Sequence, residues 1–199
     1  MNAGWLSVAG VGLFVLGASV AAAREPSISG AESSIFHAVN GLPDFLFPAL
    51  WLPMQLGNLV VGTLAGLAVA AVDGDLSVAI GVVLASLLKL VTERVVRREM
   101  ADYLAVRQRP GTSQVGAILR GGDVAASGPS FPSGHVILVA AVATIVTPVL
   151  PAAWWWAPLL LTILVMVGRV YVGAHNPLDV TAGLGAGLLL GGVLAAFVE

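Results

Sequence analysis

The chain is built on apolar runs close to the thickness of a bilayer: residues 5–23, 57–72, 76–97, 135–150, 153–173 and 178–198. A helix needs about 20 mostly apolar residues to cross, so the shorter runs depend on neighbouring helices or on tilt. Only 10% of the 199 residues are charged and 58% are hydrophobic, with a mean hydropathy of +0.96. Soluble domains carry about a quarter of their residues as charges. The pattern predicts an all-α integral membrane bundle of six transmembrane helices, one domain over residues 1–199, with a short interfacial helix.

That short helix belongs to "SISGAESSIFHAVNG", where Ser29 and Glu32 have capping-box spacing and Asn40-Gly41 form a stop. His37 within it reads as solvated. The first run could pass for a signal peptide, but no basic residue precedes Trp5, so a retained helix is expected. Trp154, Trp155 and Trp156 suit an interfacial aromatic belt. Gly183, Gly187 and Gly191, four apart, permit close helix packing. With no preceding strand, the glycines of this run do not form a dinucleotide fingerprint.

Cysteine is absent, which excludes disulfides, thiolate metal sites and cysteine nucleophiles. Three histidines, His37, His135 and His175, are too few for a multi-histidine metal cage. No metal or other cofactor is expected, and nothing points to nucleic acid.

Six crossings place every basic residue at or near one face: Arg24, Lys89, Arg94, Arg97, Arg98, Arg107, Arg109, Arg120 and Arg169. The other face has Asp73, Asp75 and Glu199. Two explanations stand side by side: the positive-inside rule, and an anion site that needs cations whatever its orientation.

Three polar clusters meet at the basic face: "RQRPG", "PSGH" and "GRVYVGAHNPLD". Arg169 closes a very apolar span, and an intramembrane arginine costs roughly 2.5–3.5 kcal/mol at the bilayer centre, so a partner or ligand is expected. Its planar fork suits phosphate. Arg109 precedes Pro110, which favours extended backbone. The Pro-Ser-Gly turn before the fourth span leaves the N–H groups of Gly134 and His135 open to an anion, with the Ser133 hydroxyl beside them. Asp179, four residues after His175, can fix one tautomer and leave the other ring nitrogen as nucleophile. His175 would then attack phosphorus while His135 protonates the leaving oxygen, and Arg109, Arg169 and the turn would hold the equatorial oxygens.

With these residues in this order, the sequence resembles the type 2 phosphatidic acid phosphatase family, whose fold is shared with vanadium haloperoxidases. The family pattern is a lysine, six residues and Arg-Pro; then Pro-Ser-Gly-His; then Ser-Arg, five residues, His, three residues and Asp. The second motif is intact as "PSGH" and the third matches at Arg169, His175 and Asp179. The resemblance implies an all-helical fold and metal-independent phosphatase activity on a lipid phosphate in the membrane, with a phosphohistidine intermediate. Polyprenyl phosphates or diphosphates, phosphatidic acid and phosphatidylglycerol phosphate are the candidate substrates. A multi-pass protein of a bacterial cell (inner) membrane is expected, with oligomeric state open.

Two positions depart from the pattern. Gly168 replaces the serine before Arg169, and Asp102 stands where the lysine should be. If about five residues are inserted, Arg97 takes the lysine's place, with Arg98 and Lys89 as weaker candidates. Arg107 and Arg120 are expected to be solvated or at lipid headgroups. The competing reading is an anion or lipid-phosphate binding or transport protein that keeps the pocket without turnover.

Overall fold

The computed structural model describes residues 3–25, 27–103, 107–122 and 124–198, with the side chains at 3, 96, 97, 99–103 and 198 outside that description. Helix α1 (Ala3–Ala22) is followed by α2 (Gly30–Asn40). Ser29 caps α2 by accepting the Glu32 N–H at 3.2 Å, as its spacing predicts. The Gly41 N–H closes the other end on the His37 and Val39 carbonyls. His37 is exposed, while neighbouring Phe36 is fully buried.

Helix α3 (Phe47–Met54) has Pro48 in its first turn, where a missing N–H costs nothing. A 3-10 turn, Gln55–Gly57, leads to α4 (Leu59–Asp73), whose first amides donate to Asn58 Oδ1. The segments Asp44–Gly57 and Leu59–Asp73 meet at a 76° bend. Gly74, at φ 79°, ends α4 in the left-handed conformation. Asp75 then caps α5 (Leu76–Tyr103) through the Ser77 and Val78 amides.

A single turn, α6 (Pro110–Ser113), and an irregular loop precede α7 (Gly134–Val146); α8 (Trp156–Tyr171) and α9 (Pro177–Val198) complete the bundle. Nearly every residue of α7 is buried, with α4, α5, α8 and α9 around it. Glycines bring α9 close: a Cβ on Gly187 would meet the Ala140 Cβ at 2.5 Å. Helix α1 lies on the other side of α9. Trp154, Trp155 and Trp156 are exposed together at the start of α8.

The expected six crossings are not what the helix lengths give. Four helical segments among the described residues, Gly4–Ala22, Leu76–Val95, Ala152–Tyr171 and Pro177–Phe197, are long and apolar enough to span, and the bent pair makes a fifth. Gly134–Val149 is shorter. Its run reads as a span in sequence, but Pro148 turns the last residues into a 3-10 turn. A sheathed apolar helix of 13 residues has the length of a core helix.

Candidate active site

Every sequence-derived site residue with a described side chain gathers at one end of α7. The Arg109 backbone is extended, at φ −62° and ψ 154°, as a residue before proline requires. Arg109 Nη1 donates to the Ala174 carbonyl at 3.1 Å. The Ala174 and His175 amides return to the Arg169 carbonyl, so the first and third clusters are tied through one turn. The second cluster joins them where the Ser133 N–H donates to the Asp179 carbonyl at 3.0 Å.

His135 is the second residue of α7, and Arg169, His175, Lys89 and Arg109 all lie within electrostatic reach of its ring. His175 stands in the turn between α8 and α9, 3% exposed. Burial pushes its imidazole below the ordinary histidine range against the upward pull of Asp179, and Arg169 and Arg109 reinforce the downward shift. His175 is therefore neutral near neutral pH, as a nitrogen nucleophile must be. A small polar hollow of about 50 Å³, lined by His135, Arg169, Gln55 and Asn58 among others, opens on this centre.

The expected orienting contact takes a looser form. His175 Nδ1 is 3.8 Å from Asp179 Oδ2, beyond hydrogen-bonding distance, and it has no hydrogen-bond partner among the described residues. Asp179 is wholly buried and its oxygens are engaged elsewhere: Oδ2 accepts the Asn176 N–H at 2.8 Å and Oδ1 accepts Arg107 Nε at 3.3 Å. Proximity to Nδ1 still leaves Nε2 as the nitrogen facing away from the carboxylate. Ser133 Oγ is also buried without a hydrogen-bond partner among the described residues. It makes no cap bond to α7, so its hydroxyl is available to a ligand.

Arg107 and Arg120 correct their expected placement at solvent or headgroups. Arg107, 2% exposed, pairs with Asp179 and also with Glu32 Oε1 at 2.6 Å. The same Glu32 oxygen accepts the Leu178 N–H at 3.0 Å. Glu32 thus leaves the return half of a capping box and clamps α2 to the site. Arg120 donates to Asp44 and to the carbonyls of Asn40, Tyr171 and Leu42, with its guanidinium 4.2 Å from the Tyr171 ring centroid. Much of the basic face is structural pairing, while Arg169 lines the polar hollow with His135 and Arg109 reaches the turn that carries His175.

Two glycines explain local departures. A Cβ on Gly168 would lie 2.6 Å from Met54 Cγ and 2.8 Å from its sulfur, so α3 fills the space of the serine in the family pattern. At Gly134 a Cβ would run into the Glu93 carboxylate, which is paired with Lys89 at 2.9 Å. Sequence reasoning missed Glu93 because its contact lies 41 residues along the chain, with no spacing rule to expose it. Arg97 lies on α5, but its side chain is outside the described residues; Arg98 is exposed.

Comparison with known proteins gives the family. Over 54 residues the chain is 43% identical to an undecaprenyl-diphosphatase from Sulfolobus acidocaldarius, a stretch covering 27% of this chain and 26% of that protein. In fold it is similar to the crystal structure of Aquifex aeolicus LpxE, with a TM-score of 0.67, 20% identity and 83% and 92% of the two chains covered. It is also similar to a transmembrane PAP2 type phosphatidylglycerolphosphate phosphatase from Bacillus subtilis, with a TM-score of 0.63, 21% identity and 97% and 94% covered. The model of the PAP2 superfamily matches residues 75–199, a stretch that holds all three clusters, and the chain belongs to that superfamily of type 2 phosphatidic acid phosphatases.

Proposed function

We propose that this protein is an integral membrane phosphatase that hydrolyses a phosphate monoester or diphosphate on a lipid. The observation that carries the reading is the convergence of His135 and a buried, neutral His175 with Arg109 and Arg169 at one end of an apolar bundle. His175 Nε2 attacks phosphorus and the bond to the leaving oxygen breaks. His135 donates its proton to that oxygen. Arg109, Arg169, Ser133 Oγ and the Gly134 and His135 amides hold the three equatorial oxygens. Water then attacks the phosphohistidine, with His135 taking a proton from it, and inorganic phosphate leaves.

No step calls for a metal ion. The name of the Sulfolobus relative supports the polyprenyl-diphosphate end of the substrate range, and that of the Bacillus subtilis neighbour supports a phosphatidylglycerol phosphate. We read the bent α3–α4 pair and the sheathed α7 as the remaining crossings of a six-span topology in a bacterial cell membrane. The test is phosphate release from a panel of polyprenyl diphosphates, phosphatidic acid and phosphatidylglycerol phosphate by wild type and His175→Ala. Release by wild type alone, unaffected by a chelator, is the expected result. Vanadate binding with no release from any substrate would instead mark a protein that holds the anion without turning it over.

A further inference from the structure

Two cavities have lining residues that are close neighbours along the chain near His135. One is the polar hollow that His135, Arg169, Gln55 and Asn58 help to line. The other is a groove of about 170 Å³ between α4, α7 and α8, in which every lining side chain is apolar; Leu56, Ala65, Val139, Ala143, Val146 and Ala157 mark its course. The two are in register along the chain. Gln55 faces the hollow and Leu56, the next residue, faces the groove; His135 faces the hollow and Val139, about one helical turn on, faces the groove.

From Val139 the groove follows α7 to Val146, about 10 Å at the helical rise, and ends where Ala157 leaves the exposed tryptophan belt. Its depth comes from small residues on all three walls: Ala65 on α4, Ala143 on α7 and Ala157 on α8. A site that is polar at one end and apolar along the rest matches a molecule of the same build.

We infer that the groove between α4, α7 and α8 holds the first stretch of the substrate's hydrocarbon chain, threading it along α7 so that the phosphoryl group arrives at His135 and His175. The inference deepens the proposed function and rests on it. A tail passing from bilayer to groove gains little from hydrophobicity, because lipid tails are as apolar as leucine. The groove supplies orientation, which acts on the reaction rate as well as on binding. Only substrates with a tail receive that benefit.

The experiment compares wild type, Ala65→Phe and Ala143→Phe on dodecyl phosphate and on para-nitrophenyl phosphate, which has no tail. Filling the groove is expected to lower kcat/KM for dodecyl phosphate by about tenfold or more, since small misplacements of a reacting group carry costs of that order. Activity on para-nitrophenyl phosphate should remain within about twofold. Equal losses on both substrates, or no loss on dodecyl phosphate, overturn the inference.

A second measurement needs no variant. Dodecyl phosphate carrying a mid-chain diazirine is photolysed with wild type, and the labelled residues are mapped. Labels on α4, α7 and α8 that vanish under excess dodecyl phosphate support the groove, and labels confined to α1 and α9 overturn it. A wild type that hydrolyses neither ester defeats the proposed function and this inference with it. A wild type that hydrolyses both while labelled elsewhere defeats the inference alone.

Discussion

Arg107 donates from Nε to Asp179 at 3.3 Å while its Nη2 binds Glu32 at 2.6 Å, so one buried guanidinium joins α2 to the carboxylate beside His175. Removing one member of a buried ion pair leaves an uncompensated charge, at a cost of about 3–5 kcal/mol. Arg107→Ala strands Asp179, whose side chain is 0% exposed. The variant is expected to lose about that much stability in thermal or denaturant unfolding in detergent, and its activity with it. Arg107→Lys, which keeps the charge without the two-armed geometry, should lose less. Equal, small effects of both would show that the ion network is dispensable.

In the proposed mechanism the protonation of His175 sets the acid side of the pH profile. Burial holds its pKa below the ordinary histidine value, and the nucleophile must be neutral. Activity should therefore persist as pH falls through the usual histidine range of about 6.5 and decline only below it. Asp179 pulls in the opposite direction by favouring the imidazolium. Asp179→Asn should accordingly move the acid limb of kcat/KM to still lower pH while lowering the maximum. A pH–rate series on both proteins tests this, and a limb that moves to higher pH in the variant contradicts the assigned electrostatics.

The residues that were legible in the sequence were those whose signals are local. Ser29 and Glu32 announced the start of α2, Pro110 fixed the backbone of Arg109, and apolar length announced α1, α5, α8 and α9. Hydropathy could not show that the run at 135–150 gives only 13 residues of α-helix, sheathed by its neighbours and ended by the 3-10 turn at Pro148. Nor did it reveal α3, because Pro48 and Pro53 resemble breakers until one lies in a first turn and the other next to the bend. Arg107 and Arg120 were misread for a related reason: their acidic partners, Glu32 and Asp44, are 75 and 76 residues away in sequence. Charge patterning sees neighbours, whereas tertiary pairing joins strangers.

The contact between Gly134 and Glu93 makes a two-residue test. Any Cβ at position 134 collides with the Glu93 carboxylate, and Gly134 opens the helix that presents His135. Gly134→Ala should lower kcat/KM strongly, because either α7 shifts or Glu93 is driven from its seat. Shortening the partner with Glu93→Ala vacates the space the new methyl group needs. The double variant should then recover a large share of the loss, which appears as a positive coupling in a double-mutant cycle. Additive losses would mean that Gly134 matters for another reason, such as its open amide.

Lys89 and Arg97 compete for the place of the missing first-motif lysine. They are eight residues apart on α5, about 12 Å along the axis, so both cannot approach one phosphoryl group in the same way. Lys89 is within electrostatic reach of His135 and only 11% of its side chain is exposed, although it is paired with Glu93. A lysine in that position can exchange its carboxylate for a phosphoryl oxygen as substrate binds. The bond so formed is charge-assisted and worth about 1.5–3 kcal/mol, or roughly 10- to 100-fold in kcat/KM. Lys89→Ala is expected to show that loss, and exposed Arg98→Ala to stay close to wild type. Steady-state kinetics on all three alanine variants decides the matter: a large loss in Arg97→Ala with none in Lys89→Ala would return the role to Arg97.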